Sequence, residues 1–167
     1  MMDPKKYPVK DFLWSQTDGR WSWKKVGISK RSVREIGCAL LCQDYVFNRY
    51  TKGHPLFRPG QYVDLVNANA KKANYGDWLT PSGETYWNNL DRISGGRIKH
   101  TYDSTKAHFV LACVIWGGLT HWVVKLGDGS ICYNPYGGKI ELFNQPLKWR
   151  TALRKDGKTP LEIYYAI

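Results

Sequence analysis

Thr120-His121-Trp122-Val123-Val124-Lys125-Leu126-Gly127-Asp128-Gly129-Ser130-Ile131-Cys132-Tyr133-Asn134-Pro135 decides the fold class. Thr120–Leu126 and Ser130–Tyr133 have strand character, and Gly127-Asp128-Gly129 between them is a hairpin signal. His121 opens the first strand and Asn134 closes the second. Antiparallel pairing matches residues equally far from the turn. It therefore brings His121 and Asn134 within about one residue of direct opposition, and a bulge in the turn supplies the missing step. An imidazole beside an amide is held in one tautomer, which is useful where the other ring nitrogen must take a proton.

Outward from the hairpin, the chain changes period. His108–Trp116 upstream, and Lys139–Phe143 and Leu161–Ile167 downstream, predict further strands. Before them come helices. Residues 37–50 predict one, with Leu40, Leu41, Tyr45, Val46 and Phe47 on its apolar face. Two signals compete for its start. Ser32-Val33-Arg34-Glu35 matches a capping box, which starts the helix early, whereas Gly37 argues for a break just ahead of Cys38. Pro59-Gly60 opens a second helical pattern carried by Tyr62, Val63, Leu65, Val66, Ala70 and Ala73. A third, short helix is expected over Thr85–Ile93, stopped by Gly95-Gly96. Helices first and strands later predict an α+β fold.

The length of 167 residues suits a single domain over 1–167, with residues 1–12 read as a polar N-terminal arm and 11–31 as loop or turn. Trp14, Trp21 and Trp23 are expected to pack in the core or the loop. A composition of 43% hydrophobic and 23% charged residues excludes a disordered tail. No apolar run reaches the ~18 residues a bilayer span needs. Met1–Pro8 lacks the apolar core of a signal peptide, so synthesis and retention in the cytoplasm are expected.

The net charge is +11, and residues 1–60 carry 12 basic against 5 acidic side chains. Such an excess favours anionic polymers: nucleic acid, a membrane surface or an anionic cell wall. Four cysteines and four histidines show no Cys-x-x-Cys pair and no metal-ligand spacing. No metal and no cofactor are therefore expected, and Cys42 and Cys113 read as small buried residues.

Cys38 differs from them. It follows Gly37 at a helix N-terminus, where the dipole and a nearby imidazolium favour thiolate, and Gly37 is expected to leave room for a substrate backbone. Gln16 offers a side-chain NH2 that, with the Cys38 backbone N–H, could receive an oxyanion. The functional order along the chain is Gln16, Cys38, His121, Asn134.

Four blocks in this order resemble one family. Leu13-Trp14-Ser15-Gln16-Thr17-Asp18-Gly19-Arg20-Trp21, Val33-Arg34-Glu35-Ile36-Gly37-Cys38-Ala39-Leu40, Thr120–Leu126 and Tyr133-Asn134-Pro135-Tyr136-Gly137-Gly138 resemble the motifs of papain-like cysteine peptidases of the double-glycine leader peptidase type. The resemblance implies a papain-like fold, with helices carrying the Cys packed on an antiparallel sheet. It implies Gln16 in the oxyanion hole, Cys38 as nucleophile, His121 as general base and acid, and Asn134 as the orienting residue. That branch usually has Asp where this chain has Asn134; papain-like enzymes elsewhere use Asn.

The function expected from the resemblance and the charge is that of a peptidoglycan-cleaving cysteine peptidase similar to phage endolysins. Such an enzyme would dock on anionic wall polymers and reach the wall after release by phage machinery. Two alternatives stand beside it. One is a peptidase that processes leader or virion proteins. The other is a non-catalytic basic scaffold that binds nucleic acid or cell wall, although no nucleic-acid motif is present.

Overall fold

Both signals ahead of Cys38 are realised, and together they make two helices instead of one. The computed structural model describes residues 10–167. Ser32 and Glu35 form the capping box of a one-turn helix, α1 (Val33–Ile36). Gly37 ends it, and α2 (Cys38–Thr51) starts afresh. A Cβ on Gly37 would lie 2.5 Å from the Val33 carbonyl oxygen and 2.7 Å from Val33 Cγ1. The glycine is thus required by the tight α1–α2 joint.

α3 (Pro59–Lys72) begins at the predicted proline. α4 covers only Asn89–Ile93. The expected start at Thr85 fails because Thr85 pairs with Leu79 in an isolated bridge, and its hydroxyl donates to Gln43. α2 is buried on every side, not on one apolar face. Leu40 and Leu41 pack with Trp21, Tyr62, Val63 and Val66. Cys42, Tyr45, Val46 and Phe47 pack with the sheet residues Leu111, Val124, Leu126 and Tyr133. Two of its buried polar side chains are matched, since Gln43 accepts from the Tyr62 and Thr85 hydroxyls and Asn48 bonds both backbone groups of Phe57, whereas Asp44 Oδ1 and the Tyr45 hydroxyl are left without a partner.

The sheet is antiparallel and seven-stranded: β1 (Lys99–Thr101), β2 (Phe109–Trp116), β3 (Leu119–Leu126), β4 (Ile131–Asn134), β5 (Lys139–Leu142), β6 (Arg150–Thr151) and β7 (Glu162–Ala166). Their spatial order is β1-β7-β2-β3-β4-β5, with β6 on β2 beyond the end of β7. The short β1 and β6 were not anticipated. The α+β class is as expected, with α2 lying on one face of the sheet.

Two hairpins place the residues of interest. Gly117 and Gly118, at φ +57° and +79°, turn β2 directly into β3, with Trp116 opposite Leu119. This two-residue glycine turn has the backbone twist that suits a tight hairpin. The second turn contains four residues, because the Ser130 N–H bonds the Asp128 carboxylate and stays out of the strand. The register is therefore Val124↔Tyr133, which sets His121 and Asn134 two positions apart, not one. Two positions preserve the face, so the side chains remain diagonal neighbours on the same side of the sheet.

The expected arm is described only from Lys10 onward, and residues 1–9 lie outside the described residues. Phe12 packs against the core instead of standing apart. Trp21 is buried as expected, but Trp23 is 65% exposed with Lys24 Nζ 4.9 Å from its ring centre. Among the described residues no helix is long and apolar enough to cross a membrane.

Candidate active site

The most fully hydrogen-bonded part of the site is a chain of side chains on the sheet face away from α2. Asn134 Oδ1 lies 2.7 Å from His121 Nε2 and accepts from the Tyr136 backbone N–H at 2.9 Å. A backbone N–H can only donate, so the Asn134 atom facing both partners is its oxygen. His121 Nε2 must then carry the proton, and Nδ1 holds the lone pair. Among the described residues Nδ1 makes no hydrogen bond. The imidazole is thus held in the tautomer that a general base needs.

The chain continues past Asn134. Its Nδ2 donates to Glu141 Oε2 at 2.7 Å, and Glu141 in turn pairs with Lys148 at 2.5 Å and Lys139 at 3.2 Å. Trp116 covers the imidazole edge-on, 5.4 Å between ring centres, and Lys148 Nζ sits over Trp116 at 4.7 Å. His121 is 7% exposed and Asn134 is fully buried. Burial pulls His121 below its usual imidazole range; the Asn134 bond and the Glu141 charge oppose this, and Lys148 adds to it.

Cys38 stands at the first position of α2, beside the open edge of β3 next to Trp122. The β3–β4 ladder runs only from Leu126 to Val124. Trp122 lies beyond it, and its partner on β2, Cys113, directs its own N–H and carbonyl to Leu161 and Ala152. The backbone of Trp122 is therefore open to α2. Its carbonyl accepts from Cys42 Sγ at 3.4 Å, and its N–H faces the Cys38 sulfur closely enough to lower that thiol. Burial pushes the Cys38 thiol up, while the N–H groups of Trp122, Ala39 and Cys38 itself pull it down. Cys38 lies in a cleft of about 530 Å³, with Arg31, Glu35, Glu84, Trp87, Leu119 and Trp122 among its walls. Thr120 and Trp122, the chain neighbours of His121, line this cleft, and the imidazole does not. Cys38 and His121 are not hydrogen-bonded to each other.

Gln16 links the two halves, by a different use of its side chain from the one expected. Its backbone N–H bonds the Pro135 carbonyl at 2.8 Å, beside Asn134. Its Nε2 donates to the Arg34 carbonyl at 2.9 Å and lies 3.4 Å from that of Val33. A continuous helix would offer the Arg34 carbonyl to the N–H of Cys38, four residues on. Gln16 occupies that acceptor, and the Cys38 N–H meets no backbone carbonyl. With the helix broken at Gly37 and the Arg34 carbonyl bonded by Gln16, the Cys38 N–H has no backbone acceptor, while Gln16 Oε1 is buried without a partner.

Comparison of the chain with models of protein families, with curated proteins and with solved structures finds no match. Among the described residues, no group of three or more His, Cys, Asp or Glu side chains is gathered to hold a metal ion. Sequence reasoning missed Glu141, Trp116 and the Tyr136 N–H. The Lys139-Ile140-Glu141 alternation, which puts an acid and a base on one strand face, was the available signal for the first.

Proposed function

We propose that this chain is a papain-like cysteine peptidase or amidase that cleaves amide bonds of bacterial cell-wall peptidoglycan. The observation that carries the reading is the fixed tautomer of His121. Its free Nδ1 belongs to the residue next to Trp122, whose N–H faces the Cys38 sulfur.

The chemistry follows from those groups. At rest the pair is a neutral thiol and a neutral imidazole, since burial disfavours both charged forms. When substrate brings them into reach, His121 Nδ1 takes the Cys38 proton and the sulfur attacks the amide carbon. Catalytic hydrogen bonds that are open in a free enzyme tighten in this way in the substrate complex. The carbonyl oxygen becomes an oxyanion received by the Cys38 N–H, the donor that Gln16 leaves free. The C–N bond breaks, His121 returns its proton to the leaving amine, and a thioester remains. Water then attacks the thioester, giving its proton to Nδ1. The carboxylic acid leaves and the thiol is restored. Asn134 keeps Nε2–H in place throughout.

The wall substrate is supported by charge. The basic excess is concentrated in residues 1–60, the stretch that holds Gln16 and Cys38, while the cleft itself carries Arg31 beside Glu35 and Glu84. A basic surface beside the cleft would hold the enzyme on an anionic, insoluble polymer. Turbidity loss of purified walls from several bacteria tests the reading, with Cys38→Ala as the control. Clearing by the wild type alone is expected; equal clearing by both proteins, or by neither, overturns the wall substrate. Cysteine-dependent cleavage of a Gly-Gly peptide without wall clearing would assign a processing peptidase. Salt-sensitive DNA binding with an unreactive Cys38 would assign a non-catalytic scaffold.

A further inference from the structure

We propose that Glu141 is a positioning residue of this site, supplying through the Asn134 amide the carboxylate charge that stabilises the His121 imidazolium. The inference rests on the peptidase reading above.

The geometry that carries it is the placement of Glu141 on the sheet. Asn134 pairs with Lys139 and Cys132 pairs with Glu141, so Asn134 and Glu141 are diagonal neighbours on one face of β4 and β5. One Glu141 oxygen accepts from Asn134 Nδ2 at 2.7 Å, and the other takes both lysines. A carboxylate serving only as a lysine partner would remain at the surface, where such pairs contribute little. The Glu141 side chain is instead 11% exposed and turned toward the amide. Burial works to raise its carboxyl, but the bonds from Lys148, Asn134 and Lys139 outweigh it and keep the group ionised. An amide that donates to a carboxylate is polarised, and its oxygen becomes a better acceptor for Nε2–H. Glu141 also fixes the amide from its nitrogen end, as Tyr136 does from its oxygen end. The site thus has a carboxylate one residue further from the imidazole than a direct His–Asp pair would.

The groups facing Glu141 are Lys139 on its own strand, Lys148 from the segment after β5, and Asn134 and Cys132 on β4. The Cys132 thiol is pushed up to about 12 by burial and stays neutral. The two lysines weaken the negative charge felt at His121 without cancelling it, since Glu141 still favours its protonation.

The test is the pH profile of kcat on a soluble peptide, beside KM, since substrate is what brings Cys38 and His121 together. Glu141→Gln should lower kcat at neutral pH about tenfold with little change in KM, and move the acid limb of the profile about one unit toward acid pH. The double variant Asn134→Asp/Glu141→Gln moves the same charge into direct contact with His121 and should restore the profile. Lys148→Met, which removes the facing cation, should shift it the other way and tests the idea even if Glu141→Gln fails to fold. An unchanged profile in Glu141→Gln with only a lower Tm overturns the proposal, as does failure of the double variant to restore it. If His121→Ala leaves the wild-type profile unchanged, the peptidase reading falls and takes this inference with it. If His121→Ala changes the profile and Glu141→Gln does not, only the inference falls.

Discussion

On the face of β3 away from α2, His121 is held by Asn134, Asn134 is held by Tyr136 and Glu141, and every hydrogen bond but that of Nδ1 is made. At the start of α2, Cys38 has backbone N–H groups facing its sulfur, in surroundings that disfavour the thiolate. The base is assembled before substrate arrives and the nucleophile is not yet activated. The difference follows from what each side is made of. Strand side chains at fixed register hold one another, whereas a thiol at a helix start depends on the dipole, three N–H groups and the proton acceptor it will meet. Such an arrangement keeps a reactive sulfur as thiol until an amide is present.

The largest effect should come from removing either side. Cys38→Ala and His121→Ala should each lower peptide hydrolysis at least ~10³-fold while the fold is retained, as read by circular dichroism. A His121→Ala protein with near wild-type turnover would mean that His121 and Cys38 do not cooperate.

Gln16→Ala comes next. It releases the Arg34 carbonyl, which Cys38 N–H can then take, joining α1 to α2 and withdrawing the oxyanion donor. A loss of about 100-fold in kcat at similar KM is expected, with slower hydrogen exchange at the Cys38 amide. Unchanged exchange together with unchanged kcat would show that Gln16 only packs.

The acid limb of the rate profile sharpens the comparison further. His121 must be neutral to accept a proton, and its folded pKa lies below 6.5. Activity should therefore persist below the usual imidazole range and fall only at more acidic pH. Stability has the same sign. The unfolded chain protonates first as pH drops below about 6.5, so the native state loses stability there. In His121→Gln that part of the acid loss should vanish in Tm measured against pH; a wild-type pH dependence of Tm in that variant would contradict the assignment.

The smallest effect separates the α2 side from the chemistry. Asp44 is buried with Oδ1 unpartnered, and burial raises its carboxyl well above the usual range. A carboxyl with a raised folded pKa costs stability once pH rises above its unfolded value. Asp44→Asn should therefore gain about 1 kcal/mol at neutral pH, and less as pH falls toward ~4. Activity should be unchanged. A loss of Tm at neutral pH would show that the charge has a native partner.

Parts of this design were legible from the residues alone. Gly127-Asp128-Gly129 announced the hairpin, and Pro59 the start of α3. The two signals at Ser32 and Gly37 looked contradictory only because one helix was expected where the chain makes two. The register was missed because Ser130 bonds the Asp128 carboxylate and lengthens the turn, a choice strand propensity does not reveal. Gln16 was singled out, but its attachment to Arg34 depends on a loop folding back over 18 positions of sequence.

What the sequence by itself determined was periodicity and punctuation: helices before strands, a hairpin carrying His121 and Asn134, and a helix over residues 37–50 with two competing starts. Those follow from local sterics and from which residues can face a core. Only the tertiary structure decided which atoms meet. The ladder stops at Val124, which opens Trp122 to the two cysteines of α2; the β4–β5 register brings Glu141 to Asn134; and Gln16 takes the carbonyl that Cys38 would have used. Each is a hydrogen bond between side chain and distant partner, set by register and packing between elements. No local pattern contains that information, because the same residues would satisfy the same periods with every one of these bonds unmade.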